Sequence, residues 1–373
     1  RDERDNAVDP WSHFVNAYVL DRHGKRVDRR NAEDIFTVLY SNQIPPGAAD
    51  SVHYRFEVPE SAQQNVEVRA SLHYRKFNSH YMKLVMDDPD YVNDLPITTI
   101  ASDSIVFAVG ENGASGQAAP DVPEWQRWND YGIGLLRKRG TGELRQAEAV
   151  FSRVRDLAPA HGHLNLARVY VREGRLDDAV DALTQAAQSE APPWTVAYFT
   201  GVVNKQNGYL DEAAANFRSV INTEFQNARD RGFDFSKDYR VLNELAGTLF
   251  EMSKRERGDA RKAQKEALLD EARATYAAAL VVDPENVNAH YGLAQLYATT
   301  GDEEQQAYHR GEHARYKPDD NALDAAVATA RRGSEAADHA ASAVVIYDLM
   351  RMRDEARDAR YDERLGTTGD GAQ

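Results

Sequence analysis

Gly-Arg-Leu-Asp-Asp-Ala at 174–179 and Gly-Tyr-Leu-Asp-Glu-Ala at 208–213 are two copies of one pattern, placed 34 residues apart. Each copy separates two stretches with helical periodicity, so each marks the turn inside a helix pair. The small residues Ala179 and Ala213, just after the turns, allow the two helices of a pair to pack closely. A helix pair that recurs at this period predicts an α-solenoid.

Further units align with these two and predict a tetratricopeptide array over residues 124–318, with about five helix pairs. A generic helical bundle is the alternative. A charged insertion, residues 254–266, lengthens the fourth unit, and polar residues replace packing residues in the second helix of the last unit. The residues that define the added units are Trp128, Tyr131, Gly132, Leu135, Ala147, Phe151, Val154 and Pro159, then Asn243, Ala246, Gly247, Phe250, Ala272, Tyr276, Ala279 and Pro284, then His290, Leu293, Ala294, Tyr297, Gly301 and Pro318.

Composition excludes several classes of protein. The 373 residues are 42% hydrophobic and 28% charged, which is typical of globular domains. A net charge of −15 argues against nucleic acid as the main partner. No apolar run is long enough to span a bilayer. The chain has no cysteine, which excludes disulfides, thiolate metal sites and covalently attached c-type haem. It begins with Arg1, so we expect a processed chain or a fragment.

Residues 11–110 alternate apolar and polar side chains and predict strands. The clearest are 51–58, with Val52, Tyr54, Phe56 and Val58 on one face, and 66–75, which we expect to pair as a hairpin. Strands are also expected at 14–20, with a partner at 25–27 after a turn at Gly24, and at 105–109. Residues 31–40 are expected to contain a strand at 35–40, with a short helix as the alternative. Residues 77–86 are expected to be a helix or an irregular segment. We predict a small β-sandwich with an immunoglobulin-like arrangement; an irregular cap on the array is the alternative.

The remaining segments are predicted from composition. Residues 1–10 form a charged tail, and Gly, Ser and Pro make residues 111–123 a linker between separable domains. Residues 319–353 are expected to be helices that cap the last apolar face of the array. Residues 354–373 are expected to be a charged, frayed tail.

The first helix of each unit is expected to line a concave groove that binds a partner segment. Basic side chains in the first three units favour an acidic or carboxylate-bearing peptide. The alternative is that they only solvate the groove. The inward-facing positions are Asn129, Leu136, Arg137, Leu164, Arg168, Arg172, Tyr198, Lys205, Glu244 and Tyr291.

Other candidate sites are weak. The sequence lacks HExxH, GxSxG and Gly-rich phosphate motifs, so we do not expect an enzyme. His309 and His313 have a metal-compatible spacing, but no third ligand is evident and a solvated face is the alternative. The acidic stretch Asp87–Asp94 could wrap a calcium ion, but it lacks the EF-hand spacing.

Six short segments carry a resemblance to a known family: 29–36 (RRNAEDIF), 43–49 (QIPPGAA), 72–77 (LHYRKF), 128–134 (WNDYGIG), 338–341 (DHAA) and 344–349 (VVIYDL). They resemble the region that follows the haem domain in bacterial multihaem c-type cytochromes with tetratricopeptide repeats. The resemblance implies an exported, electron-transfer setting in which haems are carried by an upstream domain with Cys-x-x-Cys-His motifs. Haem would therefore belong to a partner chain or an upstream segment, because this chain has no cysteine.

Two functions follow from this sequence. The first is a non-catalytic interaction module that docks outside the bacterial cytoplasm, in the periplasm or beyond, onto a protein such as a multihaem cytochrome chain. The second is a structural subunit that polymerises through a head-to-tail contact between copies.

Overall fold

The computed structural model describes residues 8–29, 31–54, 56–58, 61, 65–109, 114–118, 121–138 and 141–342, with side chains from residue 143 onward in the last range. The predicted tails, 1–10 and 354–373, lie wholly or mostly outside these residues.

The first sheet has two short antiparallel strands, β1 (Ala17–Leu20) and β2 (Thr37–Ser41). Tyr18 lies opposite Tyr40, and their rings are 5.4 Å apart. The predicted strand at 35–40 is therefore confirmed as β2. Gly24 has a φ of 76° in the turn after β1, a conformation that glycine adopts without steric cost. The predicted partner strand at 25–27 is reduced to one bridge between Leu20 and Arg26.

The second sheet is built on a long hairpin. Strand β3 (Asn65–Tyr74) is followed by helix α1 (Ser79–Val85) and by strand β4 (Thr98–Ala108), which runs antiparallel to β3. A two-residue strand, β5 (Gly116–Gln117), extends the order to β3-β4-β5. Residues 116–117, which we expected to be linker, thus belong to the sheet.

The immunoglobulin-like sandwich is not what the described residues show. They form two small separate antiparallel sheets, and β3 pairs with β4 instead of with residues 51–58. In that segment, residues 51–54 and 56–58 carry no ladder, although their apolar alternation is strong. The predicted hairpin between residues 51–58 and 66–75 was wrong. Alternation of apolar and polar residues indicates which side chains share a face of a strand, but it does not indicate which other strand is its partner.

Helices follow to the end of the described chain. They are α2 (Glu124–Arg137), α3 (Thr141–Leu157), α4 (Pro159–Glu173), α5 (Leu176–Gln188), α6 (Pro193–Asn207), α7 (Leu210–Asn222), α8 (Gln226–Arg229), α9 (Tyr239–Arg255), α10 (Lys262–Val282), α11 (Val287–Thr300), α12 (Glu303–Tyr316), α13 (Asp320–Gly333) and α14 (Glu335–Ala341).

Helices α2 to α12 form a helical solenoid, in which α2 packs on α3, α4 on α5, α6 on α7, α9 on α10 and α11 on α12. Consecutive pairs also pack on one another, for example α3 on α4 and α7 on α9. Because each pair buries its apolar face against its neighbours, the buried core follows the array, as three successive hydrophobic clusters among the described residues.

Glycines set both the ends and the spacing of these helices. Gly174 and Gly208 end α4 and α6 in the left-handed conformation, with φ of 73° and 83°. Gly201 faces the ring of Phe217, so that a Cβ there would lie 2.7 Å from Phe217 Cε1. The repeated positions in the sequence therefore correspond to repeated turns and close helix contacts.

The last two helices do not cap the array. Helix α13 packs on β1 and β2, and α14 packs on α13 and β2. The ring of Trp11 lies 5.5 Å from that of His339 in α14, and the backbone of Gly24 lies against Ala326 in α13. The prediction that these helices cap the array is therefore wrong over residues 320–341, where the helices cover the first sheet instead. Residues 343–353 of the predicted caps lie outside the described residues.

Among the described helices, none has both the length and the apolarity needed to cross a bilayer.

Candidate functional site: the first helices of the repeats

Three of the residues expected to line the groove lie inside the array. Asn129 is buried, and its Oδ1 accepts a hydrogen bond of 2.8 Å from Nδ2 of Asn165 in the next unit. Leu136 and Leu164 belong to the hydrophobic core. These three side chains join consecutive first helices instead of facing a partner.

Arg137, at the end of α2, binds a segment of its own chain. Its Nη1 donates to the carbonyl of Ala49 at 2.9 Å, and its Nη2 donates to the carbonyl of Gln43 at 2.5 Å. The neighbouring Lys138 places Nζ 2.7 Å from Oδ1 of Asp50. We refer to residues 43–53 as the docked segment.

Two more contacts hold the docked segment against α2. A Cβ on Gly134 would lie 2.7 Å from the backbone nitrogen of Ser51, so only glycine permits this approach. A ring nitrogen of His53 lies 2.7 Å from the hydroxyl oxygen of Tyr131. Burial, and then the charge of Lys138, lowers the pKa of His53, which favours the neutral imidazole. The docked segment is therefore held against the first helix of the array by polar contacts.

Asp50 is the central charge of this interface. Its Oδ2 lies 2.8 Å from Nε2 of His13, its Oδ1 contacts Lys138, and the side chain is 7% exposed. Burial raises the pKa of Asp50, but the hydrogen bonds from His13 and Lys138 outweigh burial and lower it to about 2. The carboxylate is thus ionised at neutral pH; it forms an ion pair with Lys138 and a hydrogen bond with His13.

Arg168 and Arg172 lie one turn apart on α4, and we call them the arginine pair. Arg168 Nη1 donates to Oδ1 of Asn165 at 3.0 Å, and Arg172 Nη1 donates to the carbonyl of Leu136. Burial, and then the charge of Arg172, lowers the pKa of Arg168. Within the described residues, neither guanidinium forms an ion pair with a carboxylate, so the pair leaves a local positive charge uncompensated.

The predicted basic strip does not continue into the third unit. Lys205 Nζ lies 3.0 Å from Oε2 of Glu244, so these two predicted groove residues neutralise each other. Tyr198 packs its ring against Phe199 and Phe217, and burial raises its pKa. The charge that the sequence suggested for three units is confined to the first two.

The last unit contains an aromatic and histidine cluster. Tyr291 is exposed, with its ring 5.3 Å from that of His313. His309 is buried, and its Nδ1 lies 2.9 Å from Nδ1 of His290. The solvated face that we considered for His309 is therefore wrong. Burial, and then the charge of His290, lowers the pKa of His309, so the pair is a packed element of the fold.

The acidic stretch Asp87–Asp94 is organised by local hydrogen bonds. The backbone nitrogen of Asp90 donates to Asp88, and the hydroxyl of Tyr91 donates to Asp94 at 2.9 Å. Over the part of the chain that the structure describes, no group of three or more His, Cys, Asp or Glu residues could hold a metal ion.

Sequence reasoning missed the docked segment. One signal that could have identified it is the run from Pro45 to Ala49, which interrupts the strand pattern. The charged residue Asp50 follows this run, directly before the apolar alternation of residues 51–58. The glycine at 134 is a second signal, since it follows Gly132 on the same helix although one glycine suffices for the contact with α3. The sequence of a single chain shows these residues, but it does not show that the segment and the helix are in contact in the fold.

Comparison with protein families agrees with the helix pairs. Tetratricopeptide-repeat models match residues 136–193 and 164–228, and a TPR repeat model matches residues 258–301. The chain contains tetratricopeptide repeats. No curated protein matches it.

Solved structures with a similar helical arrangement include YrrB, described as a TPR protein with an unusual peptide-binding site, at 18% identity over 52% of this chain and 88% of that chain, with a TM-score of 0.38. MamA AMB-1 is 19% identical over 52% of this chain and 98% of that chain, with a TM-score of 0.37. MamA of Desulfovibrio magneticus RS-1 is 12% identical over 53% of this chain and 97% of that chain, with a TM-score of 0.40.

Proposed function

We propose that this chain is a non-catalytic scaffold whose tetratricopeptide array, of five helix pairs, binds an acidic or carboxylate-terminated segment of a partner protein. The observation that carries the proposal is the arginine pair, Arg168 and Arg172, which has no carboxylate partner among the described residues. The anionic group of the partner lies across these two guanidinium groups.

The chemistry of guanidinium favours this role. Arginine has five N–H donors in a fixed fork, and in the described contacts each side chain uses one of them on a neighbouring oxygen. The remaining donors match the geometry of a carboxylate. Because Arg168 is partly withdrawn from water and lies beside Arg172, a bound anion also relieves the repulsion between two like charges.

The docked segment supports the same mode of binding. Helix α2 holds a non-helical segment by donating from Arg137 to two backbone carbonyls and by pairing Lys138 with Asp50. A non-helical segment with a carboxylate is therefore already bound at one first helix of the array. The arginine pair offers the corresponding cationic group on the next first helix, α4.

We expect Arg168→Gln to weaken binding of a fluorescein-labelled hexaglutamate peptide with a free C-terminal carboxylate by about tenfold, because one charge-assisted hydrogen-bond donor is lost. Fluorescence anisotropy at 50 and 200 mM NaCl should also show a smaller salt dependence than in the parent. Arg145→Gln is the matched control, since Arg145 is exposed on α3 in the preceding unit. Equal affinities of the two variants for the peptide, with unchanged melting temperatures, would contradict the proposed site.

We further propose that the partner is a multihaem c-type cytochrome chain outside the bacterial cytoplasm. The sequence segments that resemble such cytochromes support this setting. The chain itself does not fit covalent c-type haem, because it has no cysteine. We expect native material to co-purify with a second, haem-bearing chain, seen as Soret absorbance that mass spectrometry assigns to that chain; native material that contains this chain alone would refute the assignment.

A further inference from the structure

The β3–β4 hairpin has one apolar and one polar face. In β3, Val66, Val68, Ala70, Leu72 and Tyr74 alternate onto one face, where Phe107 and Ile105 of β4 lie opposite the first two. Leu72 is 43% exposed, Tyr74 is 55% exposed and Phe107 is 47% exposed. A sheet face with this composition is normally covered, since exposed contiguous apolar patches mark interaction surfaces.

The hairpin also has an open backbone edge. Across the described residues, the ladder partner of β3 is β4 alone, so the outer edge of β3 is unpaired along ten residues, Asn65–Tyr74. The other edge, on β4, is partly covered because β5 pairs with Ile105 and Val106. Unpaired backbone groups on a long, regular edge strand are a template for a further strand. The missing partner is thus an extended strand with apolar alternation.

We propose that a second copy of this chain supplies that strand. Strand β3 of each copy pairs antiparallel with β3 of the other about a two-fold axis at Ala70, and the two hairpins form one continuous sheet. The contact is isologous, because the same surface of both copies is used. It joins the two apolar faces into a single larger face.

The residues of β3 are complementary to themselves in this register. On the apolar face, Val66 lies opposite the partner's Tyr74, and Val68 lies opposite the partner's Leu72. On the polar face, Glu67 lies opposite the partner's His73, and Arg69 lies opposite the partner's Ser71. Centring the pair on Arg69 would instead place two arginines directly opposite each other, which is unfavourable. The charge pattern therefore disfavours the axis at Arg69, and the axis at Ala70 pairs Val66 to Tyr74 of each strand.

This contact is separate from the arginine pair on α4, and it goes beyond the proposed function. It closes after two copies, so it gives a dimer that presents two arrays. The head-to-tail polymer expected as an alternative from the sequence requires a contact that does not close. Because the dimer contact lies on β3 and the proposed peptide site lies on α4, a variant can lose the dimer without losing peptide binding, and the reverse.

A single cysteine tests the axis, because the chain has none of its own. Directly opposed residues of antiparallel strands have Cα atoms about 4.5–5.5 Å apart, which is within the range for a disulfide. We expect Ala70→Cys, treated with copper–phenanthroline in air, to form a disulfide-linked dimer. Ser102→Cys, on the polar face of β4 and one strand away from the outer edge of β3, is the matched control. Equal cross-linking of the two variants would overturn the proposal.

Sedimentation velocity of the parent gives an independent measurement. We expect a dimer at micromolar concentration and expect Val68→Lys to raise its dissociation constant at least about tenfold, because a charge at the centre of the apolar face opposes edge pairing. Ser102→Lys should leave the dimer unchanged. A parent chain that stays monomeric at all concentrations, or a dimer that Val68→Lys leaves intact, would refute the second copy as the occupant.

Discussion

Gly201→Leu is expected to destabilise the array by about 3 kcal/mol, which corresponds to a fall in melting temperature of roughly 6–12 °C. The backbone of Gly201 faces Phe217, which is fully buried, and a Cβ would lie 2.7 Å from its ring. The contact has no room for a Cβ atom, and a leucine side chain adds three more carbon atoms beyond the Cβ. Either α6 and α7 separate or Phe217 leaves its rotamer, and both changes reduce core packing.

Gly311→Leu is the matched control for this substitution. Gly311 lies within α12, is exposed, and has no neighbouring atom within 4 Å of a built Cβ. Since leucine has a higher helix propensity than glycine, this variant should be unchanged or slightly more stable. Urea unfolding followed by circular dichroism distinguishes the two. An unchanged midpoint for Gly201→Leu would mean that Gly201 is not at a close helix contact.

The repeat region was predictable because its signals are local. Gly174 and Gly208 end helices at a fixed offset, and the small residues that follow them permit close packing of adjacent helices. Each unit contacts mainly its neighbours in sequence, so a periodic pattern contains most of the information about the fold. The short helix α1 and the strand β2 were also found from local patterns.

Long-range contacts could not be predicted in the same way. Val52, Tyr54, Phe56 and Val58 alternate as a strand does, but the segment before them is held against α2 by Asp50 and Arg137. Which strand pairs with β3 depends on this tertiary contact, which no periodicity encodes. The return of α13 to the first sheet is a contact of the same kind, because it joins residues about 300 positions apart in the sequence.

The sequence predicted which residues belong to the first helices of the repeats, but not which of their side chains face outward. Positions three or four residues apart share a helix face, whereas a shift of one residue turns a side chain by about 100°. Consequently Asn129 and Leu136 were assigned to the groove, but the structure places them between repeats. Arg168 and Arg172 were identified because the repeat phasing assigns both residues to inward-facing positions of a first helix. Their lack of a carboxylate partner among the described residues is a structural observation.

The docked segment changes how the domains should behave. Its described contacts with the end of α2 include two hydrogen bonds from Arg137 and an ion pair between Lys138 and Asp50, so the strength of this junction depends on the ionisation of Asp50. The array and the sheets are therefore coupled by electrostatics as well as by the covalent chain. A substitution that removes the carboxylate of Asp50 tests this coupling.

We expect Asp50→Asn to lower the free energy of unfolding by roughly 2 kcal/mol at pH 7. The pKa of Asp50 falls from 3.8 to about 2 on folding, so the unfolded state binds more protons between these values. The stabilisation is complete above pH 4–5 and is lost as pH falls through about 2. The difference between parent and variant should shrink over this range when urea unfolding is measured at several pH values. Asp156→Asn, at an exposed carboxylate on α3, should change little. A difference for Asp50→Asn that stays constant down to pH 2 would show that the carboxylate does not stabilise the interface by its charge.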